Sequence, residues 1–230
     1  MIRAVTFDFG GTLATGKLDA ETYREGLLHY LHSLGYGISG ASLGEAISGM
    51  LSKLERVQAR NLELKFEEVY AGVLSNLGIP PREEFLDYIY QLYSQNFHSE
   101  ILPGAERVLK ILHLKYKLAV ISNATSNLCR RILKENELDK FFQVIVISRD
   151  LGIRKPDPRI FHYTLEKLQV KPDEAVHVGD SIEQDIMGAK RAGLKAVWIK
   201  DGEEEETLEE LDCIIRTITE LPRIIEIKFK

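Results

Sequence analysis

Four stretches of this sequence end in residues able to do chemistry. The apolar run that opens at Ile2 reaches Asp8, and Gly10 and Gly11 follow at once. The run Leu118–Ser122 ends in Ser122-Asn123. Val144–Ser148 is followed by Arg154-Lys155-Pro156-Asp157-Pro158, and Ala175–Val178 by Gly179-Asp180-Ser181, with Asp185 just beyond. Any one of these alone reads as a turn. Together they offer two carboxylates, a hydroxyl and a lysine. Two carboxylates with oxygen donors nearby suit Mg²⁺, a hard cation that binds through one or two carboxylates plus substrate phosphate. A lysine beside them would balance the charge of a phosphoryl group, and a carboxylate can itself be a nucleophile.

The elements that must position these residues alternate. Continuous apolar runs mark buried parallel strands, and helical periodicity lies between them at Ala105–Leu114, Leu128–Leu138, Pro158–Leu168 and Ile182–Ala192. Further strands are expected at Ala196–Ile199 and Cys213–Ile218. Alternation of this kind gives a parallel sheet with right-handed crossovers. Ligands then sit beyond the carboxyl ends of the strands, the edge at which all four polar stretches would meet. Between the first strand and the rest, about Asp19 to Asn96, four apolar stripes recur at helical spacing: Tyr23 to Leu34, Leu43 to Leu54, Phe66 to Leu77 and Phe85 to Tyr93. They predict four amphipathic helices that bury one another as a small bundle. The expectation is an α/β protein: a Rossmann-like core of residues 1–16 and 97–230 with a four-helix bundle inserted at 17–96.

Composition narrows the partners. The chain has 230 residues, 44% hydrophobic and 28% charged, with a net charge of -5, which suits a folded domain with a real core and argues against nucleic acid. No apolar run is long enough to span a bilayer. Two cysteines, Cys129 and Cys213, and no apolar leader segment point to ordinary buried thiols in a cytoplasmic protein, and the sequence leaves monomer or homodimer open. Glu203–Glu206 reads as a solvated loop or a helix start.

Asp8-Phe9-Gly10-Gly11-Thr12, Ser122-Asn123, Lys155-Pro156-Asp157-Pro158 and Gly179-Asp180-Ser181 with Asp185 resemble the four motifs of the haloacid dehalogenase superfamily, and Gly188-Ala189 and Ala192-Gly193 match the helix after the fourth. The resemblance implies that Asp8 is the nucleophile and, with the Gly10 carbonyl and Asp180, a ligand of Mg²⁺. It implies that Ser122 and Lys155 bind the phosphoryl group, that Asn123 and the backbone N–H groups of Phe9 and Gly10 lie near it, and that Asp185 orients Lys155 or a metal-bound water. Asp157 reads as a helix-start residue and His177 as a core histidine. A cap would close over the strand ends, exclude water and select a small phosphorylated substrate, a sugar or triose phosphate. Arg56 and Arg60, one helical turn apart, read as a solvated face rather than an anion site.

One position departs from the family's pattern. Phosphatases of the superfamily carry an acid/base aspartate two residues after the nucleophile, and here that residue is Gly10. Losing such a group commonly costs roughly 10²–10⁴-fold in rate. Thr12, Thr15 and Ser126 are nearby hydroxyls with poorly matched acidity. A non-acidic residue at 10 also suits a 2-haloacid dehalogenase, which needs no metal, and a phosphonate-cleaving enzyme, which would need a Schiff-base lysine such as Lys17 or Lys53. A non-catalytic binding protein is a third alternative. Asp180 favours the Mg²⁺-dependent phosphatase, because two close carboxylates do not both ionise cheaply without a cation.

Overall fold

The computed structural model describes residues 1–200 and 212–229, so the acidic run Glu203–Glu206 lies outside the described residues. In chain order the elements are β1 (Ala4–Phe7), β2 (Ala14–Leu18), α1 (Ala20–Ser33), α2 (Gly40–Gln58), α3 (Phe66–Asn76), α4 (Glu83–Gln95), β3 (Phe97–Ile101), α5 (Ala105–Leu112), β4 (Lys117–Ser122), α6 (Leu128–Glu135), β5 (Val144–Ile147), α7 (Ser148–Leu151), α8 (Pro158–Leu168), β6 (Ala175–Gly179), α9 (Gly188–Arg191), β7 (Lys195–Ile199), β8 (Cys213–Ile215) and α10 (Leu221–Lys228). Two compact units result: Met1–Thr15 with Glu100–Lys230, and Gly16–Ser99. Both boundaries fall inside the two-stranded sheet of β2 and β3. Among the described residues no helix is long and apolar enough to cross a membrane.

The first unit is built on a six-stranded sheet in the order β5-β4-β1-β6-β7-β8, every adjacent pair parallel. This is the expected α/β architecture. β1 and β6 are buried along their whole length, as strands covered on both faces must be. Phe161, Leu165, Ile186 and Ala189 pack with Ala4, Ile121 and Ala196 in one continuous apolar cluster. Phe7 pairs with Val120 on one side and Val178 on the other, so Asp8, Ser122 and Asp180 all lie one or two residues past that row, at the carboxyl edge.

The second unit is helical, with its own core of Tyr23, Leu27, Leu31, Leu43, Phe66, Val73 and Ile89 among others. Asp19 caps α1, its carboxylate accepting from the Thr22 N–H at 3.1 Å, the usual remedy for an unpaired first-turn donor. Three expectations change here and in the sheet. α2 ends at Gln58, so Arg60 lies beyond the helix and does not share a face with Arg56. The single helix expected over Ile182–Ala192 is instead a π-helical turn, Ile182–Met187, followed by α9. The last strand stops at Ile215, and α10 follows it.

Candidate active site

Lys155 is the centre of the edge. It is 1% exposed, and its Nζ donates to Asp8 Oδ1 and to Asp185 Oδ1, both at 2.6 Å. Burial opposes its charge, but the carboxylates of Asp185 and Asp8 outweigh that and hold its ammonium above the ordinary lysine range. Burial likewise opposes ionisation of Asp185, yet Lys155 and His177 keep its carboxyl well below the usual range. Asp8 goes the other way. Burial raises it, Lys155 resists, and the neighbouring charges of Asp185 and Asp180 push it further, to about 7. One cation is thus shared by carboxylates that outnumber it. Removing one partner of a buried ion pair costs about 3–5 kcal/mol, and Lys155→Met is expected to lose that much in urea unfolding. An unchanged midpoint would mean that Asp8 and Asp185 do not depend on Lys155 for charge balance.

The loop that carries Lys155 is clamped from outside. Asn123 Oδ1 accepts from the Lys155 N–H at 2.9 Å, and Asn123 Nδ2 donates to the Lys155 carbonyl and to Gln184 Oε1, each at 2.9 Å. Both amide donors of Asn123 are therefore spent on protein. The expected phosphoryl-binding side chain at 123 is a brace for Lys155 in this structure. Asp157 caps α8, accepting from the Arg159 N–H at 2.9 Å, with Pro158 in the first turn, where its missing N–H costs nothing. Ser122 is buried at the end of β4.

Around Asp8 the chain turns tightly. The Asp8 N–H donates to the Val178 carbonyl, and the Phe9 carbonyl accepts from Leu13 and Ala14. The Gly11 N–H donates to Ala14 at 2.9 Å, so it is not among the donors left for a substrate. Gly11 has φ +77°, and a Cβ there would fall on the Asp180 carboxylate. Only glycine permits that approach. Asp180 itself is exposed, and its carbonyl accepts from the Trp198 indole N–H at 2.9 Å. Carboxylate oxygens of Asp8, Asp180 and Asp185 lie within 4.8 Å of one another. Asp185 has both oxygens engaged, Oδ1 by Lys155 and Oδ2 by the Ser181 N–H, which leaves Asp8 and Asp180 as an all-oxygen, negatively charged pair suited to a hard divalent cation.

The model of the haloacid dehalogenase-like hydrolases matches residues 2–193. The chain belongs to this hydrolase family. The hydrolase is 39% identical over 130 residues to a glyceraldehyde 3-phosphate phosphatase of Pyrococcus furiosus, a stretch that is 55% of this chain and 53% of the relative. It thus aligns with about half the length of that relative. Among solved structures it resembles a 2-haloacid dehalogenase from Pseudomonas syringae pv. Tomato, at 27% identity and a TM-score of 0.72, covering 98% of this chain and 99% of the other. It also resembles a phosphatase of the same superfamily from Thermococcus onnurineus, at 29% identity and a TM-score of 0.61, covering 97% and 98%.

The three hydroxyl side chains weighed beside Gly10 lie in different settings. Thr12 is fully buried in the Asp8 loop. Ser126 is buried and its Oγ accepts from the Leu128 N–H at 3.4 Å, while Thr15 is exposed at the start of β2. Lys17 and Lys53 are exposed as well, an ordinary setting for lysine. Burial, and then the charge of Asp8, push the Cys129 thiol up, so it stays protonated and is no nucleophile. Two features were not foreseen from the sequence. Gln184 braces Asn123, and His177 reaches Asp185. Neither residue carries a local signal, because each acts through a partner on another loop or on the far side of a turn.

Proposed function

We propose that this hydrolase is a Mg²⁺-dependent phosphatase of small phosphorylated metabolites, a triose phosphate among them, working through a phosphorylated Asp8. The observation that carries the reading is Asp180 beside Asp8, two carboxylates with their shared neighbourhood short of positive charge. Without a cation, two carboxylates this close are costly to hold ionised together. The Asp8 carboxylate attacks phosphorus, the bond from phosphorus to the ester oxygen breaks and that oxygen leaves as the alcohol with a proton from water, and a second water then cleaves the acyl phosphate to return Asp8 and release inorganic phosphate. Lys155 balances charge at the nucleophile, and the Ser122 hydroxyl and the N–H groups of Phe9 and Gly10 hold phosphoryl oxygens. Asp8, Asp180 and the Gly10 carbonyl would hold Mg²⁺, which neutralises the transferring group and favours ionised Asp8. The Pyrococcus furiosus relative supports a triose phosphate as the first substrate to try.

The likeness to the 2-haloacid dehalogenase structure supports a second reading, in which Asp8 displaces halide from a 2-haloacid and no metal takes part. One experiment separates them. Purified protein is offered glyceraldehyde 3-phosphate, phosphoserine and other small esters, and in parallel 2-chloropropionate, with Mg²⁺ and with EDTA. Phosphate release that needs Mg²⁺ supports the phosphatase, and chloride release indifferent to EDTA overturns it. Metal binding has its own reporter, since Trp198 is the single tryptophan and is bonded to Asp180. Mg²⁺ is expected to change its emission saturably, with an affinity at least about tenfold weaker in Asp180→Asn. Equal titration curves would remove Asp180 from the metal site.

A further inference from the structure

His177 lies in β6, wholly buried, three residues before Asp180. Its Nε2 is 3.3 Å from Asp185 Oδ1, and its Nδ1 is 2.8 Å from Thr6 Oγ1 on β1. The tautomer follows from the partners. An ionised carboxylate only accepts, so Nε2 carries the hydrogen and donates it. A neutral ring then has its lone pair on Nδ1, and the Thr6 hydroxyl donates to it. Thr6 has one hydroxyl proton, and its other neighbour, the Val176 carbonyl, is further away at 3.5 Å. Phe161 stands edge-on to the ring at 5.1 Å, and desolvation by burial holds the imidazole neutral.

Asp185 is fixed by the same surroundings. The Ser181 N–H donates to its Oδ2 at 3.0 Å. A Cβ on Gly179 would collide with its carboxyl group, so the missing side chain there lets Asp185 lie against β6. The π-helical turn Ile182–Met187 carries Asp185 to that position. The result is an unbroken row of hydrogen bonds: Thr6, His177, Asp185, Lys155, Asp8.

We infer that His177 is a positioning residue: by donating to Asp185 Oδ1 it fixes the carboxylate that draws the Lys155 ammonium to a point midway between Asp185 and Asp8. Without that donor Asp185 is held only by the Ser181 N–H and by Lys155 itself; its carboxylate then turns, and Lys155 settles on Asp8 alone. A lysine fully committed to the nucleophile holds its attacking electrons and slows turnover, while Ser122 and the N–H groups of Phe9 and Gly10, which hold the phosphoryl oxygens, are unchanged. This rests on the phosphatase reading for its kinetic consequence, though not for its geometry.

The test compares His177→Gln, whose amide nitrogen reaches the place of Nε2, with His177→Asn, whose shorter amide reaches only the place of Nδ1. His177→Asn is expected to lower kcat about 10–100-fold, as loss of an outer partner commonly does. KM and the Mg²⁺ affinity read from Trp198 should stay within about twofold. His177→Gln should recover most of the loss. Nitrogen-15 NMR of the lysine ammonium groups supplies a second readout, with Lys155 assigned by its absence in Lys155→Met. A protected Lys155 signal is expected in the natural protein and in His177→Gln, and its loss in His177→Asn. Natural kcat and an intact signal in His177→Asn would overturn the inference, as would equal losses in both variants with the signal intact, which would make His177 a packing residue. If the natural protein releases no phosphate from any ester, the phosphatase reading fails by itself, and the ammonium signal still decides the role of His177.

Discussion

Asp8→Asn is expected to abolish turnover and, in EDTA above pH 7, to melt at a higher temperature than the natural protein. Loss of a nucleophile that acts with its neighbours as one unit commonly costs more than about 10⁴-fold. The stability gain comes from charge. Asp8 sits at about 7, against 3.8 for the free carboxyl, because it is buried beside Asp185 and Asp180. Such a displacement is worth on the order of 4 kcal/mol between the two protonation states. Asparagine resembles the neutral state, and since Lys155 loses a partner in the exchange, about 1–3 kcal/mol of gain is expected. At this length that is roughly 2–4 °C per kcal/mol. The direction with pH follows. A group that binds its proton more tightly in the folded state stabilises the fold fully below the unfolded value, and that contribution is lost as pH rises through about 7. The two proteins should therefore melt alike near pH 4 and diverge above neutrality, and saturating Mg²⁺ should close the gap by giving ionised Asp8 a cation. A lower melting temperature for Asp8→Asn in EDTA at pH 8 would show that the bond to Lys155 outweighs the crowding of carboxylates.

Gly10→Asp is expected to raise kcat for phosphate esters by about 10²-fold, at the lower end of what a general acid/base contributes. The backbone permits it. Gly10 is not among the residues with positive φ, and a Cβ there meets nothing within 4 Å. It is exposed, two residues after Asp8, so an aspartate would enter open space. Its neighbour Gly11 offers no such freedom, lying against Asp180. Initial rates should show the gain most clearly with esters of poorly acidic alcohols, whose leaving oxygen most needs a proton, and least with aryl phosphates. No gain with either class would mean that another group already protonates the leaving oxygen, and that Gly10 stands where no acid is needed.

The sheet and the polar residues along its carboxyl edge were legible because each rests on a short, continuous signal. Apolar runs gave β1, β4, β5 and β6, and the polar residues ending three of them, with Lys155 in the loop after the fourth, fall at one edge once the strands are parallel. The four helical stripes were equally plain. What escaped lacks a local period. β2 and β3 are five residues each and half exposed. The π-helical turn differs from an α-helix by one residue in a hydrogen-bond ring, which no apolar pattern records. The hydrogen bonds from Asn123 to Lys155 and Gln184 span 32 and 61 residues, and Asn123 beside Ser122 reads as a substrate contact until its partners are in place.

The pairing of β1 also bears on how the chain is made. Ala4 pairs with Lys117 and Ala175, residues 113 and 171 positions later. A ribosome adding about 5–20 residues per second needs roughly 10–30 s to pass from the central strand to the second neighbour it pairs with. Throughout that interval β1 is an apolar segment with open edges, the kind of nascent strand that chaperones bind. The helical unit, by contrast, is contiguous from Gly16 to Ser99 and has its own core, so its contacts are available before β4 is translated. The central position that places Asp8 among its partners is therefore the one that waits longest for them.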